Sequence, residues 1–287
     1  MFAEFVHSLS CKRGQILGWG IGLVLYGLMM VSLFDSMTAI VGIQDMLASY
    51  PKEMMAFFGD VMEFTTPKGY LSIYYFSYMT VIVGVFTASL GAGLLVSDEE
   101  KGILDLVLAH PVSRTALFWG RVLALIVATL VILLLGWLSW VIPAGSTGMN
   151  LTWIEFLRPF APLFAELMLF GTLALLLSLL LPSARVAGML SGGLLVANWL
   201  LMGLSNLNKG LKAIVEFTPL YYYQGGDAVD GLNWGWLAGL LGVTLVFTLL
   251  AWWRFQRRDI RVGGEGGWNL PSLARRSRRG AVAAPES

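Results

Sequence analysis

Six long apolar runs constrain the fold of this chain more than any other feature of its sequence. Each run contains at most one charged residue and is long enough to cross a hydrocarbon core about 30 Å thick as an α-helix. A helix satisfies its own backbone hydrogen bonds inside lipid, whereas a single strand cannot. The sequence therefore predicts an all-α membrane protein with six transmembrane helices, at about residues 16–34, 70–96, 115–142, 159–181, 186–205 and 232–253.

Composition supports this class of protein and excludes others. With 57% hydrophobic and 13% charged residues among 287, the chain is too apolar for an ordinary soluble domain. Its one cysteine, Cys11, allows no internal disulfide and no multi-cysteine metal site. The first apolar run is too long for the core of a signal peptide, so we expect it to remain as a span. We predict one transmembrane domain over residues 1–261 and a flexible, basic cytoplasmic tail over residues 262–287, which are rich in glycine and arginine.

The distribution of basic residues predicts the orientation in the membrane. Of the 19 lysines and arginines, 14 fall on the side that holds both termini and the connection between spans two and three, and 5 fall on the other side. Cytoplasmic segments carry an excess of lysine and arginine. We therefore expect both termini to be cytoplasmic. An even number of spans agrees with this, because it places both termini on the same side of the membrane.

Charged residues are concentrated in the connection between spans two and three. Ser97 and Glu100 have the spacing of a capping box, which predicts a helix that begins near Asp98 and ends near Ala109, before Pro111. Acidic residues in the first turn suit the positive end of a helix. One interpretation of this amphipathic helix is a solvated connector that rests on lipid headgroups.

The same connection resembles the cytoplasmic segment between the second and third spans of ABC-2 type transporter permeases, with the approximate pattern ExxxGTLExLLxxPVSR. Ile103 replaces the usual threonine of that pattern, and Asp105 replaces a glutamate. The resemblance implies a coupling helix that docks a separate ATPase subunit and receives its motion. The matching residues are Asp98, Glu99, Gly102, Leu104, Asp105, Val107, Leu108, Pro111, Val112, Ser113 and Arg114, and we add Glu100 to the predicted site.

Two further segments are similar to parts of the same family. Residues 1–13 resemble the interfacial helix that leads into the first span. We expect them to receive the motion of the ATPase together with the coupling helix. Residues 206–231 resemble the short external helices that precede the last span, with one short helix predicted before Pro219. GxxxG steps, which permit close helix contact, occur at Gly14, Gly18 and Gly22 and again at Gly188 and Gly192.

No site that could supply the energy for transport is recognisable in this sequence. It contains no GxxxxGKS/T loop for nucleotide and no HExxH, CxxC or GxSxG motif, so we predict no catalytic residue, cofactor or metal in it. The resemblance implies two P-loop ABC ATPase subunits that bind ATP and Mg²⁺, and a second copy of this permease or a related one. Membrane lipid is the other expected partner, and nucleic acid is not expected.

Two polar residues interrupt the later apolar runs. Glu166 in span four is a costly intramembrane acid, and two interpretations stay open: a pathway-lining or ion-coupled carboxylate, or a residue near the outer interface paired with Arg158 or water. Asn198 in span five could line the pathway, although an interhelix hydrogen bond is its more ordinary role.

These observations predict a permease subunit of an ATP-driven exporter in the bacterial plasma membrane. We expect a homodimer that moves drug, antibiotic or lipid-like cargo outward. The alternative is a secondary transporter driven by an ion gradient, with Glu166 as the coupling acid. A membrane-embedded enzyme is a third class, for which no nucleophile, base and metal cluster is visible.

Overall fold

The computed structural model describes residues 1–40, 42, 46, 49–51, 55, 63–104 and 112–258. Within these ranges the chain is helical and contains no strand. Six helices are long and apolar enough to cross a membrane, which confirms the predicted all-α class and the number of spans. In chain order they are α1 (Phe2–Thr38), α2 (Pro67–Ala92), α3 (Arg114–Ala144), α4 (Trp153–Leu180), α5 (Ala184–Leu207) and α6 (Trp234–Arg257).

Successive long helices run in opposite directions, so the bundle has two ends. The terminal end holds Met1, the segment between α2 and α3, and the last turn of α6. The loop end holds the short helical turns that connect α5 to α6. Those turns are Lys209–Leu211, Lys212–Val215, Pro219–Tyr222 and Gly225–Val229.

Helices α2 and α4 form the centre of the bundle, and most of their residues are buried. Their backbones nearly touch, because a Cβ atom built on Gly91 would lie 2.0 Å from the carbonyl oxygen of Gly171. Helix α1 packs along α3, α5 packs against α2, and α6 packs against α4. The outer helices α1, α5 and α6 each leave most of their apolar surface uncovered by the described chain, as lipid-facing helices do.

The close contact between Gly91 and Gly171 therefore lies outside the GxxxG steps, which predicted close helix contact at other glycines. A Cβ atom added to Gly14, Gly18, Gly22 or Gly192 meets no atom within 4 Å, outside its own helix backbone. Gly188 makes only an ordinary contact, 3.4 Å from the Cβ atom of Ala92. Among the described residues, no helix approaches these steps on α1 and α5 as closely as α4 approaches Gly91.

Residues 1–13 do not form a helix separate from the first span, because α1 continues without a break from Phe2 to Thr38, and their interfacial position stays a prediction. At about 1.5 Å per residue, the 37 residues extend roughly 55 Å, well beyond the hydrocarbon core. No proline interrupts this stretch, and a single Gly14 costs an α-helix only about 1 kcal/mol. The first turn also packs on α3, where a Cβ atom on Gly120 would lie 2.7 Å from the Met1 carbonyl oxygen.

The loop end is fixed by ionic and hydrogen-bonded contacts between connections. The Lys68 ammonium, at the start of α2, lies 2.8 Å from an oxygen of Asp230 and 3.2 Å from one of Asp227. The Asp35 carboxylate, near the end of α1, accepts a hydrogen bond of 2.8 Å from the Gly148 backbone N–H. The predicted tail, residues 262–287, lies outside the described residues, so its flexibility stays a prediction.

Candidate functional site

The connection that follows α2 contains a short, sharply ended helix. We call residues 96–104 the acidic segment. Its helix, Val96–Glu100, is terminated by the turn at Gly102, which has a left-handed φ of +68°. The Ile103 N–H donates to the Asp98 carbonyl at 2.9 Å, and the Gly102 N–H donates to the Glu99 carbonyl at 3.0 Å. This pair of hydrogen bonds is a Schellman motif, which glycine allows because it has no Cβ atom to clash in the left-handed region.

The single helix predicted from Asp98 to Ala109 is therefore wrong at its start and in its continuity. Ser97 lies inside the helix rather than before it, and no side chain caps the helix N-terminus. The helix then ends at Glu100, since Gly102 satisfies the final carbonyls. Leu104 is again helical, but Asp105, Val107, Leu108 and Pro111 lie outside the described residues, so their predicted roles stay predictions.

Three consecutive carboxylates of this segment bind three different helices. An Asp98 oxygen lies 2.7 Å from the Arg121 guanidinium on α3. A Glu99 oxygen lies 3.1 Å from the guanidinium of Arg258, immediately after α6. A Glu100 oxygen accepts a hydrogen bond of 2.8 Å from the backbone N–H of Ala184, the first residue of α5. The acidic triplet thus makes internal contacts with other helices, while Asp98 and Glu99 also lie in the first turn of their own helix, as predicted.

Arg121 has several partners at the terminal end, and only 3% of its surface is exposed. Besides Asp98, its guanidinium donates to the Leu94 carbonyl at 2.8 Å and lies 3.9 Å from a Glu4 oxygen. A buried guanidinium needs such partners because removing it from water is costly. It therefore ties α1 and the acidic segment to α3.

Arg114 connects the start of α3 to the end of α6. Its guanidinium donates to the Arg258 carbonyl at 2.9 Å, and the neighbouring Thr115 hydroxyl accepts a hydrogen bond of 2.9 Å from the Gln256 amide. Because Arg258 also pairs with Glu99, the predicted site residue Arg114 joins the same network as the acidic triplet.

The outward-facing part of the acidic segment is small. Glu100 and Lys101 are exposed, and Ile103 has 43% of its surface exposed. Leu104 and Glu99 are instead buried, at 1% and 6% exposure. Of the predicted docking residues in this segment, Leu104 and Glu99 therefore face the protein, while Glu100 and the neighbouring Lys101 and Ile103 face outward.

Sequence reasoning missed the basic and acidic partners of this network, namely Glu4, Arg121 and Arg258. One signal could have found Arg121: it lies within an otherwise uncharged run, and such a residue almost always has a partner. The acidic triplet, in the connection that precedes α3, supplies that partner. The pairing of Arg258 with Glu99 joins residues far apart in sequence, and no local pattern indicates it.

Glu166 lies deep in the bundle and is fully buried. Neither of its carboxylate oxygens has a hydrogen-bond partner in the part of the chain that the structure describes. The expected pairing with Arg158 is wrong, because that guanidinium donates at 3.0 Å to the Val229 carbonyl instead. The buried side-chain oxygen of Asn198 likewise has no hydrogen-bond partner among the described residues, so that atom does not form the expected interhelix bond with them.

A cavity of about 180 Å³ opens at the loop end and is lined by residues of α2, of α5 and of the turns that follow α5. The π-helical turn Ser72–Phe76 of α2 forms part of its wall, and π-turns are frequent at functional sites. The Tyr223 hydroxyl donates to the Phe76 carbonyl at 3.1 Å across this wall. Burial raises the pKa of the Tyr223 phenol, and the charge of Glu166 acts in the same direction, so Tyr223 remains a hydrogen-bond donor.

Comparison with known proteins fixes the family. The model of a family described as ABC-2 family transporter protein matches residues 15–260. That range includes the acidic segment and its described helix partners, and it leaves out only the first turns of α1. The chain belongs to the ABC-2 transporter family. No curated protein matches its sequence.

Membership of the ABC-2 family indicates which part of a transporter this chain forms. Proteins of this family are membrane subunits of ABC transporters, generally without catalytic activity of their own, and they pair with an ABC ATPase subunit. The six apolar helices and the family together make this chain a multi-pass membrane protein.

Proposed function

We propose that this ABC-2 subunit is the permease of an ATP-driven exporter and that its ATPase subunit docks on the acidic segment. The observation that carries the proposal is the triple attachment of this segment: Asp98 to α3, Glu99 to the end of α6 and Glu100 to the start of α5. An element held to three spans at once can transmit a displacement to all three.

The local structure favours transmission as a rigid unit. Leu104 is buried within the main hydrophobic core, so the segment cannot shift without moving core side chains. Packed cores respond to displacement by rearranging rather than by deforming continuously. A push on the outward-facing residues Lys101 and Ile103 would therefore reach the interior of the bundle.

The proposed orientation places the terminal end in the cytoplasm, where ATP is available. The basic residues of this end include Lys12, Arg13, Arg185, Arg254 and Arg257, in accord with the positive-inside preference. We further propose a bacterial plasma-membrane location and assembly as two permeases with two ATPase subunits. The uncovered apolar faces of α1, α5 and α6 are compatible with a second copy as well as with lipid.

The cargo is proposed to be an amphipathic or apolar compound such as a drug, antibiotic or lipid-like molecule, moved outward. Support for it comes from the predominantly apolar bundle and the aromatic residues at the loop end, including Tyr221, Tyr222 and Trp236, which pack together. Aromatic side chains with polar tips suit the place where a span meets water.

Co-purification tests the docking site. The tagged chain is extracted gently from its native membrane, and the P-loop ATPase that accompanies it is quantified. Ile103→Asp places a charge in the proposed apolar contact and should reduce ATPase recovery at least about tenfold, as for a central interface residue. The matched control is Ile214→Asp at the loop end, where Ile214 has 54% of its surface exposed. Equal ATPase recovery with both variants would contradict docking at the acidic segment.

A second candidate function is ion-coupled transport through Glu166. It is favoured by one observation, the burial of both carboxylate oxygens without a hydrogen-bond partner in the described part of the chain. An ionised carboxylate in that position is costly, and a bound proton or cation would relieve the cost.

Flux in vesicles separates the two functions. An ion-coupled carrier moves its solute without nucleotide when a proton or sodium gradient is applied, and Glu166→Gln abolishes that flux. Glu216→Gln, which changes an exposed carboxylate at the loop end, is the control and should leave the flux unchanged. Flux that requires ATP and survives Glu166→Gln would reject this second candidate.

A further inference from the structure

Glu166 and Asn198 are two buried side chains whose acceptor oxygens no described residue satisfies. Glu166 lies on α4 with 0% of its surface exposed, and Asn198 lies on α5 with 8% exposed. Three atoms are involved, namely both carboxylate oxygens of Glu166 and the side-chain oxygen of Asn198. Buried polar atoms in proteins nearly always have a partner, and one without a partner costs free energy. These oxygens therefore indicate a ligand that carries positive charge.

The packing of α5 on α4 brings the two side chains to nearly the same depth in the bundle. The Ser191 hydroxyl of α5 donates to the Phe170 carbonyl of α4 at 2.8 Å, which fixes the two antiparallel helices side by side. Asn198 lies two turns further along the same buried face of α5, and Glu166 lies one turn along α4 in the same direction. At about 1.5 Å per residue, the two positions differ in depth by about 4.5 Å, which is less than one turn.

The charge of Glu166 has no protein counter-charge in the part of the bundle that the structure describes. Among the fully buried side chains there, the one cation is Arg121, which belongs to the network at the terminal end. The Arg158 guanidinium donates to a backbone carbonyl instead. Tyr223, on the turn before α6, is close enough for the charge of Glu166 to act on it, but its hydroxyl donates to a carbonyl of α2.

The chemistry of the three oxygens favours a monovalent metal cation. Hard metal cations bind carboxylate and amide oxygens. A divalent cation would leave an excess positive charge, because Glu166 is the one fully buried carboxylate outside the terminal end in the described ranges. A proton covers a single oxygen, and a buried water molecule brings hydrogen bonds but no charge. One monovalent cation attracts all three oxygens and neutralises the carboxylate.

We propose that Glu166 and Asn198 together bind a monovalent metal cation such as sodium between α4 and α5. The second candidate function asks whether an ion gradient drives transport through Glu166. The cation site does not rest on that function, because an ATP-driven exporter can hold the same ion as a fixed part of its bundle. The site also includes Asn198 as a ligand, and the bound ion joins α4 to α5, so the stability of the bundle should depend on it.

Thermal unfolding of the purified full chain in detergent, followed by tryptophan fluorescence, tests the site. The chain is compared in sodium chloride and in choline chloride at equal ionic strength and fixed pH. A ligand that binds only the folded state raises the melting temperature, and we expect sodium to raise it by about 3 °C or more. Equilibrium binding of radioactive sodium to the same sample should count one ion per chain.

Two variants test the proposed ligands. Glu166→Gln keeps the size of the side chain and removes its charge, so it should abolish the sodium response without lowering the melting temperature in choline chloride. Asn198→Leu should weaken sodium binding at least about tenfold, since even residues that only support a metal ligand contribute this much. Thr172→Val on α4 is the matched control. Its buried hydroxyl already donates to the Met168 carbonyl at 2.9 Å, so its loss should leave the sodium response unchanged.

Equal melting temperatures in the two salts, with no sodium bound, would overturn the proposal and leave a proton on Glu166 as the remaining explanation. A sodium response that survives Glu166→Gln would also overturn it, because the ion would then bind elsewhere. These measurements use no ATP, gradient or cargo. Failure of ATPase docking or of ion-driven flux would change none of them, so the proposals can fail separately.

Discussion

At the scale of single residues, the terminal-end network depends on a buried charge, Arg121. Its nearest carboxylate is Asp98, at 2.7 Å, whereas the Glu4 carboxylate lies 3.9 Å away. Loss of Asp98 would leave the guanidinium largely uncompensated inside the protein, and such a change is far more damaging than loss of an exposed pair.

We therefore expect Asp98→Ala to lower the free energy of unfolding by about 3 kcal/mol, as for a broken buried pair. Denaturant unfolding of the purified chain, followed by tryptophan fluorescence, measures it. Asp227→Ala is the control, because the Asp227 side chain is 83% exposed and should contribute less than about 1 kcal/mol. A double variant that also replaces Arg121 with leucine should recover part of the loss. Additive losses in the double variant would contradict the pairing.

At the scale of elements, the acidic segment depends on the left-handed turn at Gly102. Gly102→Ala adds a Cβ atom where φ is +68° and should destabilise the turn by about 1 kcal/mol. We expect the ATPase activity of the assembled transporter to lose its stimulation by cargo while global stability changes little. Gly145→Ala, at the end of α3 and in open space, is the control. Full stimulation in the Gly102 variant would show that the turn is not needed for coupling.

The contact between α2 and α4 gives a second prediction at this scale. Gly91→Ala places a Cβ atom against the Gly171 carbonyl and should force the two central helices apart, at a cost of about 2 kcal/mol or more. Gly22→Ala on α1 meets no neighbour and should be neutral or stabilising by up to about 1 kcal/mol. Thermal unfolding of both variants in one detergent makes the comparison. Similar melting temperatures for the two would contradict the close crossing.

Prediction from sequence succeeded for elements that a local pattern determines. It failed for elements that depend on contacts between residues far apart in the chain. The six apolar runs are local, so the number of long helices followed from them directly. The capping box at Ser97 and Glu100 is also local, but the Glu100 carboxylate binds Ala184 on α5 instead. Similarly, residues 1–13 have the composition of an interfacial helix, yet their packing on Gly120 keeps them in line with α1.

At the scale of the whole molecule, the acidic segment joins helices that are distant in sequence. Asp98 to Arg114 could be singled out from the sequence because their order follows a family pattern. Their partners could not be, since pairs such as Glu99 with Arg258 form only once six helices are assembled. In the described structure, the proposed docking surface is thus in direct contact with α3, α5 and the end of α6.

Site-specific crosslinking tests the central claim, docking of the ATPase on the acidic segment, most directly. Cys11 is the only cysteine, so Cys11→Ser gives a background in which Ile103→Cys or Ile214→Cys can each carry one photoreactive maleimide. In native membranes, we predict that illumination links the Ile103→Cys chain to a P-loop ATPase, and that the Ile214→Cys chain at the loop end forms no such product. An ATPase adduct at the loop end, or none at the acidic segment in a transport-competent complex, would contradict the account.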